Sequence, residues 1–104
     1  MLAFTALADP TRRQIVEMLA DGERTAGAIA RQFEVSAPAI SQHLKVLREA
    51  RLVRVRADAQ RRIYALDAAG IGEIDAWLGN IRRFWRGRLD ALERELTKDE
   101  GDTP

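Results

Sequence analysis

The 104-residue chain has no cysteine, which at once removes disulfides, thiolate metal sites and cysteine nucleophiles. Histidine is nearly missing as well, the single one being His43. No Ser/His/Asp set, phosphate-cradling glycine loop or zinc-protease pattern is present, so the chain reads as a non-enzyme without a cofactor. No apolar run reaches the roughly 20 residues that a membrane-spanning helix needs. The first eight residues lack the charged start and long apolar stretch of a secretory signal. The expected compartment is the cytoplasm, with no membrane partner. Internal repeats, low-complexity tracts and domain linkers are also lacking. The expected organisation is one domain over residues 1–98 and a disordered tail over 99–104. So short a chain buries a limited core, and pairing with a second copy would enlarge it.

What is present is charge, and it is unevenly placed. The net charge is +1, yet Arg51 to Leu66 holds five arginines against one acid, Asp58, while Asp67 to Pro104 is net acidic. A concentrated basic block points to an anionic partner more directly than a net value does.

Just before that block, Ser36 to Leu47 reads as one short helix. Ser36 is a cap candidate and Pro38 suits the opening turn; because the residue before a proline resists the α conformation, Ala37 is the alternative cap. Ile40, Leu44 and Leu47 share one face, and Pro38, Ser41, Gln42 and Lys45 point the opposite way. An apolar back with a small hydrogen-bonding front is what reading a DNA major groove requires; an ordinary surface helix is the plainer alternative. Thr25 to Phe33 forms a second helical pattern, with Thr25 as cap and Ala26, Ile29, Ala30 and Phe33 as its apolar face. Glu34-Val35-Ser36 is the expected connection, which makes a helix-turn-helix unit. Earlier still, Asp9-Pro10-Thr11 is a helix start whose apolar face is Ile15, Val16 and Leu19 and whose end is Gly22. Arg12 and Arg13 are expected to be solvated, one of them within reach of a phosphate.

After the presumptive reading helix the period shortens. Leu52, Val53 and Val55, then Ile63, Tyr64 and Leu66, are β-type residues around a turn at Ala57-Asp58-Ala59-Gln60. Arg54, Arg56 and Arg62 are expected on one exposed face. A basic hairpin beside a reading helix is a wing, suited to phosphate or the minor groove; arginines that only blunt a sheet edge are the competing explanation. Asp67 then caps a long helical pattern to about Lys98, with Ile71, Ile74, Leu78, Ile81, Trp85, Leu89, Leu92 and Leu96 stepping by three or four, widened by Trp77 and Phe84. Such a helix, about 45 Å long, outreaches a small domain, so its stripe is expected to meet a second copy. Gly79 and Gly87 mark either a bend or a close approach between backbones. Near the start, Leu2, Phe4 and Leu7 make a short apolar face that packs either in its own subunit or at a dimer interface.

Ala6 to Leu19, Ser41 to Leu47 and Ala50 to Val53, in that order, resemble the ArsR family over about Phe4 to Leu66. The resemblance implies a mainly α protein with a small β-hairpin (α+β), a winged helix-turn-helix that works as a homodimeric repressor on double-stranded DNA. The reading residues become Ser36, Pro38, Ala39, Ser41, Gln42, His43 and Lys45, and the wing contacts Arg56, Arg61 and Arg62. The dimer interface becomes Leu2, Phe4, Leu7, Ile74, Trp77, Leu78, Ile81, Phe84, Trp85 and Leu89. A near-palindromic operator follows. The competing function is a protein-interaction module docking through the Trp77/Phe84/Trp85 helix. RNA binding is disfavoured, since the hairpin's only aromatic is Tyr64 and RNA readers expose several. Many members of this family sense metals through thiolates, for which the matching positions here are Thr25 and Gly27, or through histidines on the last helix, where Asp67 to Lys98 has none. No metal is therefore expected. Control falls to protein concentration or to an unidentified small organic effector near Trp77 and Trp85.

Overall fold

The computed structural model describes residues 2–101, with side chains to Lys98. The chain divides into two compact units, residues 1–74 and 75–104. In order, the elements are α1 (Leu2–Ala6), α2 (Pro10–Ala20), β1 (Arg24–Thr25), α3 (Ala26–Ala30), α4 (Ala37–Glu49), β2 (Val53–Asp58), β3 (Arg61–Leu66) and α5 (Ala68–Gly101). No helix among the described residues is long and apolar enough to cross a membrane.

Local chemistry sets each helix start in the first unit. Asp9 caps α2 by accepting from the Arg12 N–H at 3.0 Å, with Pro10 in the first turn. Thr25 accepts from Ala28 N–H at 3.1 Å to open α3, and Ser36, not Ala37, accepts from Ala39 N–H at 3.3 Å to open α4. Asp67 takes the Ala69 N–H at 2.9 Å at the head of α5. Each satisfies a backbone donor that the first turn leaves without an intrahelical partner. Gly22, with φ +139°, follows the end of α2.

The core of this unit joins one side chain or more from nearly every element. Ile15 of α2, Ile29 of α3, Ile40, Leu44 and Leu47 of α4, then Leu52 and Val53, are fully buried. Each such burial is worth about 1.5–3 kcal/mol. α1 contributes Ala3 and Ala6, not the Leu2 and Phe4 of the expected face; Leu2 is 66% exposed, Phe4 is half-buried, and Leu7 packs partly on the core. Small residues allow this short helix to lie close to α4, which is why alanines hold the inward positions.

Three features of this unit depart from the reading of the sequence. α3 is one short turn of helix ending at Ala30, so the connection to α4 runs from Arg31 to Ser36 instead of through three residues; Phe33 packs against the core from that loop. A two-residue strand, β1, pairs with β3 (Arg24 with Tyr64, Thr25 with Ile63) and makes the sheet three-stranded in the order β1-β3-β2. The hairpin turn is Ala59-Gln60 alone, since Asp58 and Arg61 are already cross-strand partners. Ala59 has φ +56°, a left-handed conformation that favours glycine at the first position of a two-residue hairpin turn.

The end of α4 is tightly closed. Arg51 sits at φ +59°, Arg51 N–H donates to Arg48 C=O and Leu52 N–H donates to Leu47 C=O, both at 3.0 Å. This is a Schellman closure with its usual apolar contact, here between buried Leu47 and Leu52, but with arginine where glycine is common. Gly70 approaches the same point: its N–H donates to Arg51 C=O at 2.7 Å, and a Cβ there would lie 2.4 Å from that oxygen and 2.9 Å from Ala50 O.

In the second unit, α5 continues through Gly101, three residues past the expected end at Lys98; residues 102–104 of the expected tail lie outside those described. Trp77, Leu78, Phe84, Trp85, Leu89, Leu92 and Leu96 are 40–58% exposed. Phe84 and Trp85 meet edge to face with centroids 6.0 Å apart, and the Arg88 guanidinium lies over Phe84 at 5.0 Å. Arg83 donates to Asn80, and Arg82 pairs with Asp75 at 3.9 Å. Among the described residues, a Cβ at Gly87 would meet nothing within 4 Å and one at Gly79 only the tip of Arg83, 3.7 Å away.

Replacing Arg51 by glycine should raise stability by about 0.5–1 kcal/mol, the relief of a left-handed arginine less the chain entropy of glycine. Gly70→Ala should lower it by about 3 kcal/mol, because the new methyl group overlaps backbone that cannot move aside. Urea-melt midpoints of the two variants test both signs.

Candidate nucleic-acid interface

α4 presents what its sequence spacing demands. Ile40, Leu44 and Leu47 are buried, while Ser36, Pro38, Ser41, Gln42 and Lys45 are exposed and Ala39 is half-buried. Ser36 is occupied as the cap. Ser41 and Gln42 have no hydrogen-bond partner among the described residues, so their donors and acceptors face water. Pro38 and the missing acids of the first turn leave the helix's opening free of negative charge, which favours an anion there.

His43 is placed differently from the other candidates. Its ring is partly buried, and Arg12 Nη1 stands 3.4 Å from Nδ1 and Asp9 Oδ2 3.9 Å from it. The ring nitrogen therefore faces the start of α2. Arg12 and Arg13 are not freely solvated, as the sequence suggested: Arg12 Nε donates to Ala6 C=O at 2.6 Å, and Arg13 Nη1 donates to Leu7 C=O at 2.9 Å and Ala8 C=O at 3.3 Å. They close the carbonyl end of α1, which has no intrahelical donors left to use. The Arg12 backbone N–H, from which the Asp9 side chain accepts, and the Arg12 charge hold the Asp9 carboxyl below its ordinary value. A lowered carboxyl pKa adds stability above the unfolded value and loses it as pH falls through the folded one.

The wing's arginines are split by register. Arg54 pairs with Ala65, Arg56 with Ile63 and Asp58 with Arg61, all facing one way; Arg62 pairs with Ala57 on the other face, with Val55 and Tyr64. The expected single face of Arg54, Arg56 and Arg62 is thus corrected: a turn with an even number of residues pairs even-numbered with odd-numbered positions, so Arg62 falls opposite Arg54 and Arg56. Two of the three wing candidates carry internal acids. Arg56 Nε donates to Glu23 Oε2 at 3.2 Å and Arg61 Nη2 to Asp58 Oδ2 at 2.9 Å. Arg54 and Arg62 have no acidic partner among the described residues. Glu23 was not singled out in the sequence: it lies 33 residues from Arg56 and no local pattern links them. Asp58–Arg61, at a spacing of three across the turn, was within reach.

The sequence model described as bacterial regulatory protein, ArsR family, matches residues 9–55, from the α2 cap into β2. The HTH-type transcriptional regulator Rv2034 of Mycobacterium tuberculosis is 47% identical over 100 residues, covering 96% of this chain and 90% of that one. This chain belongs to the ArsR family. The transcriptional repressor SdpR of Bacillus subtilis is 38% identical over 78 residues, 75% of this chain and 87% of that one. A crystal structure titled "Possible transcriptional regulator for arsenical resistance" superposes with a TM-score of 0.72 at 40% identity, over 91% of this chain and 96% of that one. The ArsR family is one of transcription regulators, not of enzymes, and its winged helix-turn-helix is the arrangement of α3, α4 and the β2–β3 hairpin.

Phosphate contacts release counterions, at about −0.9 in log K per log salt for each phosphate neutralised. Arg62, free of an internal acid, should flatten the salt dependence of duplex binding by about one such contact when changed to alanine. Arg56→Ala and Arg61→Ala should flatten it by less, since each must first leave a carboxylate. Equal slopes for all three variants and the parent would remove the hairpin from the phosphate contacts.

Proposed function

We propose that this chain is a DNA-binding transcriptional repressor that grips a near-palindromic operator as a homodimer, in the cytoplasm, and blocks a promoter by covering it. The observation that carries this is α4: a fully buried apolar row behind Ser41, Gln42 and Lys45, beside a hairpin that exposes Arg54 and Arg62. Gln42 suits bidentate bonding to adenine, and Ser41 can donate or accept at a base edge. Two copies would set two such helices in successive major grooves, about 34–36 Å apart. The name of SdpR, a repressor, supports the direction of control.

Assembly is assigned to two sets of apolar residues, Leu2, Phe4 and Leu7 in and after α1, and Ile74, Trp77, Leu78, Ile81, Phe84, Trp85 and Leu89 in α5. The exposure of most of the second set supports this reading, because aromatic residues in water are costly unless something covers them. Metal control is not part of the proposal. Arsenical resistance belongs to the name of another protein, and this chain has no cysteine to offer a thiolate to arsenite or zinc.

A duplex recovered from random DNA by the purified protein supplies the test. Gln42→Ala should lose about 1–3 kcal/mol on that duplex and almost nothing on scrambled DNA. Equal losses on both would take Gln42 out of base reading.

Sedimentation tests the assembly. Ile81→Glu and Trp85→Glu would each bury an unpaired charge at the seam and should give monomers with weak duplex binding. An unchanged profile for both would move the interface elsewhere and favour the docking-module reading of the Trp77/Phe84/Trp85 helix.

A further inference from the structure

His43 stands within the reading helix, between Gln42 and Leu44, yet its placement differs from that of its neighbours. Ser41, Gln42 and Lys45 are exposed, whereas the His43 side chain is 23% exposed and its Nδ1 is turned to α2. Arg12, opposite it, is held at a second point. Its Nε donates to Ala6 C=O at 2.6 Å, and its Nη1 lies 3.4 Å from His43 Nδ1. Its own backbone N–H is fixed by Asp9 Oδ2 at 3.0 Å. One guanidinium therefore spans the carbonyl end of α1, the first turn of α2 and the middle of α4. Guanidinium is suited to this because its donors form a rigid fork that reaches two acceptors at once, which an ammonium on a flexible stem does not reproduce.

Asp9 Oδ2 is 3.9 Å from the same nitrogen, beyond hydrogen-bond reach, whereas Arg12 Nη1 is within it. Arginine only donates, so this contact requires Nδ1 to accept and the ring proton to sit on Nε2. The ring becomes a strut: α4 rotates or slides only if the Arg12 contact breaks or α1 moves with it.

We propose that His43 is a positioning residue and not a DNA contact, and that the Ala6–Arg12–His43 chain sets the seating of the reading helix. This rests on the DNA-binding reading above for its consequence, but the strut itself is a property of the free protein. Asparagine can replace the ring, because its Oδ1 occupies nearly the place of Nδ1 and accepts in the same way. Alanine and leucine cannot.

Two measurements test it. In the free protein at pH 8, long-range ¹H–¹⁵N spectra should show His43 as the Nε2–H tautomer, and Arg12→Gln should shift its Nδ1 resonance. On the selected duplex, His43→Ala and His43→Leu should lose about tenfold while scrambled-DNA affinity and salt slope stay at the parent values. His43→Asn should remain within about threefold of the parent, and Arg12→Gln combined with His43→Ala should be no worse than the weaker single variant. An Nδ1–H tautomer, losses that multiply in the double variant, or His43→Asn as weak as His43→Ala would each overturn the proposal. If the parent selects no duplex, the DNA-binding reading fails, and the tautomer and the Arg12→Gln shift alone decide for or against the strut.

Discussion

The backbone of Arg51 and Leu52 is the point on which the first unit depends. Leu52 N–H closes α4 on Leu47 C=O. Leu52 C=O accepts from Asp67 N–H at 2.9 Å, and Arg51 C=O accepts from Gly70 N–H. Two residues thus tie the end of the reading helix, both ends of the hairpin and the start of α5. The backbone N–H and C=O of both residues are paired within the chain, as burial of Leu52 requires. The left-handed arginine is the cost of that reversal, and glycine at position 70 is its consequence: only a residue without Cβ can come close enough to donate to Arg51. A wing aimed from this node keeps a set relation to α4, and DNA reading needs that relation more than it needs any one contact.

Electrostatics of the basic block are moderated from within. Five arginines in Arg51 to Leu66 suggest an unrestrained cationic surface, but Arg56 and Arg61 each face a carboxylate in the free protein. Exposed pairs of this kind are worth little to stability, about 0–1 kcal/mol. Their effect falls on binding: an arginine that must leave an acid gains less from a phosphate, whatever the sequence. Under the proposed phosphate contacts, affinity falls by the same amount on specific and non-specific duplexes. Glu23 and Asp58 therefore lower overall grip and leave specificity, a difference between affinities, unchanged.

What could be read without coordinates was what is local. The caps at Asp9, Thr25, Ser36 and Asp67 are each made within three residues, and the buried rows of α2 and α4 follow from helical spacing. The hairpin's existence was legible from its β-type residues, but its register was not, because a two-residue and a four-residue bend differ by two positions in the pairing and neither Asn-Gly nor Asp-Gly marks the place. The face of Arg62 was legible, since either bend is even in length and sets it opposite Arg54 and Arg56. β1 is too short to carry a period. The remaining misses are long-range: Glu23 with Arg56, Arg12 with His43, Gly70 against Arg51. In α1 the error had another source. Large apolar residues drew attention, while the inward positions belong to Ala3 and Ala6, where closeness to a neighbouring helix matters more than bulk.

The distal part of α5 raises a question of stability that bears on control. An isolated helix in water is marginal, and helices in proteins owe most of their stability to packing of an apolar stripe. From Trp77 onward that stripe is exposed in the single chain, and Gly79 and Gly87 lower its intrinsic propensity further. Under the proposed assembly, ordering of this segment and pairing of two copies are one event, driven by the same burial. The fraction of chains able to grip two half-sites then rises with protein concentration by mass action. A regulator built this way responds to its own abundance without a metal or a ligand, and a small apolar molecule competing for Trp77 or Trp85 would act on the same equilibrium from the opposite side.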